Sequence, residues 1–106
     1  LSFNFENVTE ALGVEKVREG VTFGVYPNPV KRDKKINIIF DVQTVSLNDN
    51  SIEIYNLVGQ RVLRTKITNT KGFHKKEIDL SSLNSGIYLL RFNSGKYQKL
   101  KKIIIQ

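Results

Sequence analysis

Apolar and polar positions alternate along most of this chain. Ile36, Ile38, Phe40 and Val42 fall on one side of an extended segment, with Asn37, Ile39 and Asp41 on the other. A period of two marks a half-buried strand, because successive side chains of an extended backbone point to opposite faces. Ile52 and Ile54 repeat the pattern over residues 51–55. Residues 61–68 put Leu63, Thr65 and Ile67 inward and Arg64 and Lys66 outward. In residues 73–80, His74, Lys76, Ile78 and Leu80 share one side, and only its second half reads as buried. Residues 87–92 are apolar on both faces, as in a central strand covered on both sides. Residues 97–105 close the series with Tyr97, Leu100 and three isoleucines, and residues 21–26 open it, which makes seven predicted strands.

The punctuation agrees. Asn48-Asp49-Asn50, Asn56 to Gly59, Thr70-Lys71-Gly72 and Asn93-Ser94-Gly95 are turn formers. Residues 79–86 read differently: Ser81, Ser82, Asn84 and Ser85 disfavour a continued strand while Leu83 can still plug inward. A short 3₁₀ turn or a looped crossover is expected there. Short strands spaced about 8–12 residues apart predict an all-β fold, a seven-stranded Ig-like antiparallel β-sandwich. The Cys…Trp…Cys hallmark of true immunoglobulin domains is missing, so the likeness is one of architecture. Residues 1–20 pattern ambiguously. Thr9 could cap a helix over 10–19, Gly13 and the valines oppose it, and Phe3 and Phe5 alternate like a strand.

The 106 residues suit one domain. The apolar runs, Ile103-Ile104-Ile105 among them, are too short for a transmembrane helix. The net charge of +7 is uneven. Residues 1–24 hold four acids and two bases, whereas residues 25–106 hold fifteen bases and six acids. The chain starts with Leu, so it reads as a piece of a longer protein. The sign change suggests that residues 1–20 are the end of a preceding domain or a linker and 21–106 the basic domain. A basic surface attracts acidic partners, nucleic acid or anionic membranes, and it also simply favours solubility.

Candidate chemistry is sparse. Without cysteine there is no thiolate nucleophile, disulfide or Cys-based zinc site. His74 is the sole histidine and reads as a surface imidazole. Glu77 and Asp79 sit two apart and read as the solvated side of a strand. No phosphate loop or calcium loop is present, so neither a catalytic site, a cofactor nor a metal is expected. Lys96, Lys99, Lys101 and Lys102 crowd the last strand around Tyr97. Single-stranded nucleic acid could use such a patch. Lysines also guard a terminal strand edge against aggregation, and that role is preferred over nucleic acid. Tyr55, Tyr88 and Tyr97 lie within strands and read as structural. Asn7-Val8-Thr9 is a lone glycosylation sequon.

Four motifs occur in order. Tyr26-Pro27-Asn28-Pro29 is a stiff, non-helical end to a strand, since each proline fixes its own φ and extends the residue before it. Residues 52–59 form a strand ending in an Asn…Gly turn. Residues 79–90 carry a crossover into a buried strand through Gly86 and Tyr88. Lys101-Lys102-Ile103-Ile104-Ile105 stands at the end of the chain, followed by Gln106 alone. Over residues 21–106 this ordered set resembles the type A C-terminal sorting domain of the type IX (Por) secretion system of Bacteroidota. That resemblance implies a non-catalytic Ig-like tail that directs a cargo protein from the periplasm across the outer membrane to the surface or medium. It implies recognition by an outer-membrane β-barrel shuttle protein. It also implies removal by a surface peptidase acting as a sortase, which can join the cargo to anionic lipopolysaccharide. Cleavage is expected before Tyr26, near Gly20, and the domain is expected to be a monomer. Tyr26, Pro27, Asn28, Pro29, Gly86 and Tyr88 correspond to family motifs, with Gly86 and Tyr88 expected to be structural. Lys102 to Ile105 correspond to the basic-then-apolar terminal strand. Partner binding is assigned to Lys99, Lys101, Lys102, Ile103, Ile104 and Ile105, through backbone edge groups and charge. The alternative from another class is a carbohydrate-binding or adhesive Ig-like accessory domain, which three aromatics on one exposed sheet face would favour.

Overall fold

The computed structural model describes residues 14–31, 33–44, 49–68 and 70–106. Thr9, Phe3, Phe5, the Asn7 sequon and Asn48 lie outside the described residues. Eight strands run in order: β1 (Glu15–Arg18), β2 (Val21–Tyr26), β3 (Lys35–Val42), β4 (Asn50–Tyr55), β5 (Arg61–Ile67), β6 (Gly72–Asp79), β7 (Gly86–Ser94) and β8 (Tyr97–Ile105). Two four-stranded antiparallel sheets, β1-β2-β3-β6 and β5-β4-β7-β8, face each other, and no helix occurs among the described residues. All seven expected strands are present, and β7 is central, between β4 and β8. The eighth is β1, in the segment where the sequence patterned ambiguously and a helix over 10–19 was one option. Residues 15–18 are a strand instead. Glu15 and Lys16 pair with Phe23 and Thr22, and Val17 enters the core.

Alternation explains the core. Ile36, Ile38, Phe40 and Val42 from β3 meet Ile52 and Ile54 from β4 and Leu90 and Phe92 from β7 between the sheets. Phe92 lies 4.9 Å from Phe23 and 5.9 Å from Phe40, so three rings join the two layers. Aromatic pairs at such spacing add roughly 0.5–1.5 kcal/mol beyond the area they bury.

The two lateral sides of the sandwich differ. β1 packs against β7 and β8, and Arg18 Nε donates to the buried Ser94 hydroxyl at 2.8 Å. On the other side the sheet edges are β5 and β6, joined by a connection that passes from one sheet to the other.

The β6–β7 connection is a looped crossover held by a turn, Leu83 N–H to the Leu80 carbonyl at 2.9 Å, rather than a 3₁₀ segment. Leu83 packs against the core, as its isolation among serines suggested. At the end of this corner the Tyr88 hydroxyl donates to the Asn84 carbonyl at 2.8 Å. A tyrosine at the start of this strand, bonded a few residues upstream, is the tyrosine corner of Ig-like sandwiches. Gly86 precedes it with φ +149°, a backbone conformation that residues bearing Cβ rarely adopt.

Candidate functional site: the terminal strand and its loop

β8 is the edge strand of its sheet, as the sequence suggested, and pairs along its whole length with β7, from Gly86↔Ile105 to Ser94↔Tyr97. In an antiparallel pair alternate residues turn their backbone groups toward the neighbour or away from it. Residues 98, 100, 102 and 104 therefore present theirs at the open edge.

The C-terminal half of that edge is occupied by the Tyr26–Pro29 loop. Both Tyr26-Pro27 and Asn28-Pro29 are cis. The loop then runs parallel to the end of β8. Val30 N–H donates to the Ile104 carbonyl at 2.7 Å, and Gln106 N–H donates to the Val30 carbonyl at 3.4 Å. Asn28 completes the ladder with its side chain: Nδ2 donates to the Lys102 carbonyl at 2.8 Å, and Oδ1 accepts from Ile104 N–H at 3.2 Å. The side-chain amide thus imitates a peptide unit. Two motifs more than seventy residues apart in sequence form one ladder, which single-strand patterning does not reveal.

The N-terminal half differs. Among the described residues, no hydrogen bond reaches the outward backbone groups of Gln98 and Leu100. Leu100 is 56% exposed and Tyr97 46%, so Tyr97 is a surface ring rather than a structural one. Lys96 Nζ lies 5.4 Å from its centroid.

The assigned partner-binding residues fall into three groups. Ile103 and Ile105 are buried core members, and Ile104 is half-buried on the outer face. Lys101 is half-buried, its amine 3.5 Å from Glu15 of β1. Lys99 and Lys102 are exposed, on opposite faces of β8 by alternation. The lysines thus do not line one side of the strand.

Behind the open half lies a polar network that the sequence reading did not anticipate. Glu53 of β4 sits on the outer sheet face, yet is only 7% exposed. Arg91 Nη2 donates to Oε1 at 2.8 Å and Asn93 Nδ2 to the same oxygen at 2.7 Å. Oε2 accepts from Arg61 at 3.1 Å and from the Tyr55 hydroxyl at 2.9 Å. The Arg91 guanidinium, foremost, holds the Glu53 carboxyl down at about 2, from an ordinary 4.5, with Arg61, Tyr55 and Asn93 adding to it against the opposing effect of burial. The network ties β4, β5 and β7 together, and Arg91 is the cross-strand neighbour of Leu100 in β8. The signal available in the sequence was an acid between Ile52 and Ile54 and a base inside an otherwise apolar strand. Only the register matches them.

The described residues contain no cluster of His, Cys, Asp and Glu that could hold a metal. Nor do the exposed aromatics form a platform. Tyr26, Phe73 and Tyr97 belong to three strands, and Tyr26 and Phe73 lie opposite Asn37 and Asp41, at different ends of β3.

No curated protein matches the chain. One family model, described as the secretion system C-terminal sorting domain, matches residues 24–106, from inside β2 to the last residue and spanning all four motifs. The chain belongs to that family, the type IX sorting tails that take a protein across the outer membrane to the cell surface or the medium.

Proposed function

We propose that the domain acts as a folded, non-catalytic address and that the export machinery reads it at residues 96–102. The observation that carries this reading is the open half of β8. Tyr97 and Leu100 are exposed there, Lys99 and Lys102 project into solvent, and the edge groups of Gln98 and Leu100 are unbonded among the described residues. An unpaired edge can accept a further strand, and the lysines steer an acidic partner toward it. Ile103 and Ile105 keep that edge in place from the core side, and Ile104 holds it through its backbone bonds to the Asn28 side chain and Val30. The partner in this reading is the outer-membrane shuttle protein, met by a monomeric domain.

We further infer that the surface peptidase cuts upstream of Glu15 rather than at Gly20. Gly20 has φ +80°, its carbonyl accepts from Gln43 N–H at 2.7 Å, and an added Cβ would sit 2.5 Å from the Thr44 hydroxyl oxygen. A bond so enclosed fits poorly into a protease cleft, and cutting it would detach β1 from β2. Joining of the cargo to anionic lipopolysaccharide would follow at the new end.

The test is a fusion of the whole chain to the C-terminus of a periplasmic fluorescent protein, expressed in a bacterium with a type IX system. Fluorescence at the surface or in the medium is expected, and mass spectrometry of the released tail should find an N-terminus before residue 15. Retention of the wild-type fusion in the periplasm would overturn the assignment. A tail beginning at Val21 would overturn the cleavage site alone.

A further inference from the structure

The β5-β4-β7-β8 sheet carries a second feature, at the end where β4 turns into β5. Among its strand residues Glu53 is the one acid, against seven Lys and Arg. The strands of the other sheet hold four acids against five bases. Glu53 is buried, and its charge is matched by Arg91 and Arg61. Arg64, Lys66 and Lys102 are exposed on the outer face, since alternation turns them away from the core-packed Leu63, Ile67 and Ile103.

Leu57 and Val58 form the tip of the β4–β5 turn and are 67% and 81% exposed. Such tips favour Asn, Asp, Gly, Ser and Pro, and a β-branched valine suits a strand better. Other groups hold the turn. Gly59 N–H donates to the Asn56 carbonyl at 3.1 Å, and Asn56 N–H to the Gln60 carbonyl at 3.0 Å. Asn56 Oδ1 accepts from Val58 N–H at 3.1 Å and from Gln60 N–H at 2.9 Å. The amides of Val58, Gly59 and Gln60 are thus bonded within the turn, as a backbone leaving water requires. Tyr55, the last residue of β4, stands in one row with Leu89 and Lys102, and the next row holds Ile87 and Ile104. The tip lies beyond Tyr55, level with that second row, where Ile87 is exposed and Ile104 half-buried. Arg61 lies opposite Tyr55, and Arg64 opposite Glu53. An aliphatic tip therefore stands at the end of a cationic face.

We propose that this end of the sheet docks on an anionic phospholipid surface, with Leu57 and Val58 entering the boundary between headgroups and acyl chains. Interfacial binding adds buried apolar area to electrostatic attraction, and this surface supplies both. Arg61 and Lys102 stand about 7 Å of strand behind the tip, two residues at about 3.4 Å each, inside the screening length of about 8 Å at physiological salt. A protein partner fits less well, because the tip protrudes, and leucine and valine are under-represented among the residues that anchor protein interfaces. The tip is distinct from the open edge of β8, and no substitution below falls in residues 96–102, so this docking and the address reading are separable.

The experiment is cosedimentation of the whole chain with vesicles of phosphatidylcholine alone and of phosphatidylcholine and phosphatidylglycerol in equal parts. Binding to the anionic vesicles only is expected, and added sodium chloride should weaken it. Combined Leu57→Ser and Val58→Asn places turn formers at the tip, so the melting temperature should hold while binding falls about tenfold or more. Arg64→Gln should weaken binding by about twofold to fivefold, the effect of one basic residue near an anionic surface. Lys75→Gln, in the other sheet, should leave it unchanged. A spin label on the lipid, placed near the headgroups, should broaden the amide signals of Leu57 and Val58 before that of Phe73, which is as exposed but belongs to the other sheet. Equal binding to both kinds of vesicle, or full affinity in the tip variant, would overturn the proposal. Binding to neither would also overturn it and leave the face to an acidic protein. The comparison of the two vesicles with the wild-type chain decides even where a variant fails to fold.

Discussion

The two halves of β8 belong to one strand and pair with one neighbour, yet they are held in different ways. The C-terminal half buries Ile103 and Ile105 and has its outer edge bonded by Asn28 and Val30. The N-terminal half exposes Tyr97, Lys99 and Leu100, leaves Gln98 and Leu100 unbonded at the edge among the described residues, and pairs with the part of β7 whose Arg91 is tied to Glu53 of β4. An edge strand is a hazard unless covered or charged, and here each half uses one of those remedies. A strand that is half sealed and half open separates anchoring from recognition. Truncating the whole strand cannot distinguish them, because it removes core and edge together. Point changes in each half can.

The largest effect is expected in the sealed half. Ile103→Ala deletes a fully buried side chain between β7 and the Val30 loop. Cavity-forming changes of this kind cost about 2–5 kcal/mol, and a loss of about 3–4 kcal/mol is expected here from the midpoint of urea denaturation. A loss under about 1 kcal/mol, the scale of a surface change, would mean that the isoleucines are not the anchor. Any export defect of this variant should then follow its fraction unfolded.

The next effect belongs to the open half and to acid. Because the Glu53 carboxyl is held below its ordinary range, its stabilisation is complete above about pH 4.5 and fades as pH falls toward about 2. The arginine partners are partly exposed, which discounts the size to about 2 kcal/mol. Denaturation midpoints should fall across that window in the wild type and stay flatter in Glu53→Gln, which starts lower. Hydrogen exchange should localise the change: amides of β7 and of residues 97–101 should open first, before Ile103 and Ile105. Equal loosening of both halves would dissolve the distinction drawn between them.

How much of this was legible beforehand follows from the range of each interaction. Seven strands could be read because burial on one face repeats locally every second residue. β1 was ambiguous because only Val17 of its four residues is buried, amid glutamates. The Asn28 ladder and the Glu53 network each join residues from distant strands. No local period encodes such a junction. Register creates both. The lysines of β8 were visible as a cluster, but their division between two faces and a Glu15 partner was not.

A smaller effect tests the loop. Asn28→Ala removes two hydrogen bonds to β8 while leaving the Val30 backbone in place. The expected cost is about 1–2 kcal/mol, given roughly 0.5–1.5 kcal/mol per bond. Exchange of the Ile104 amide should quicken, because Asn28 Oδ1 is its acceptor. If the loop also serves to keep the sealed half from recruiting strands, this variant should oligomerise at high concentration, as sedimentation velocity would show. Unchanged Ile104 exchange would mean that the backbone ladder alone guards the edge.

The smallest effect on stability carries the largest consequence for function. Combined Lys99→Glu and Lys102→Glu reverses two exposed charges without touching the core or the Glu15 pair. Surface changes of this kind typically move stability by about ±0.5 kcal/mol or less. The melting curve should therefore overlay that of the wild type while the fluorescent fusion stays in the periplasm. That combination, a folded but unexported domain, is what separates an edge that is read from a strand that merely completes a sandwich. Normal export of the charge-reversed domain would confine β8 to the second role, since a steered encounter with an acidic partner cannot survive inversion of the charges that steer it.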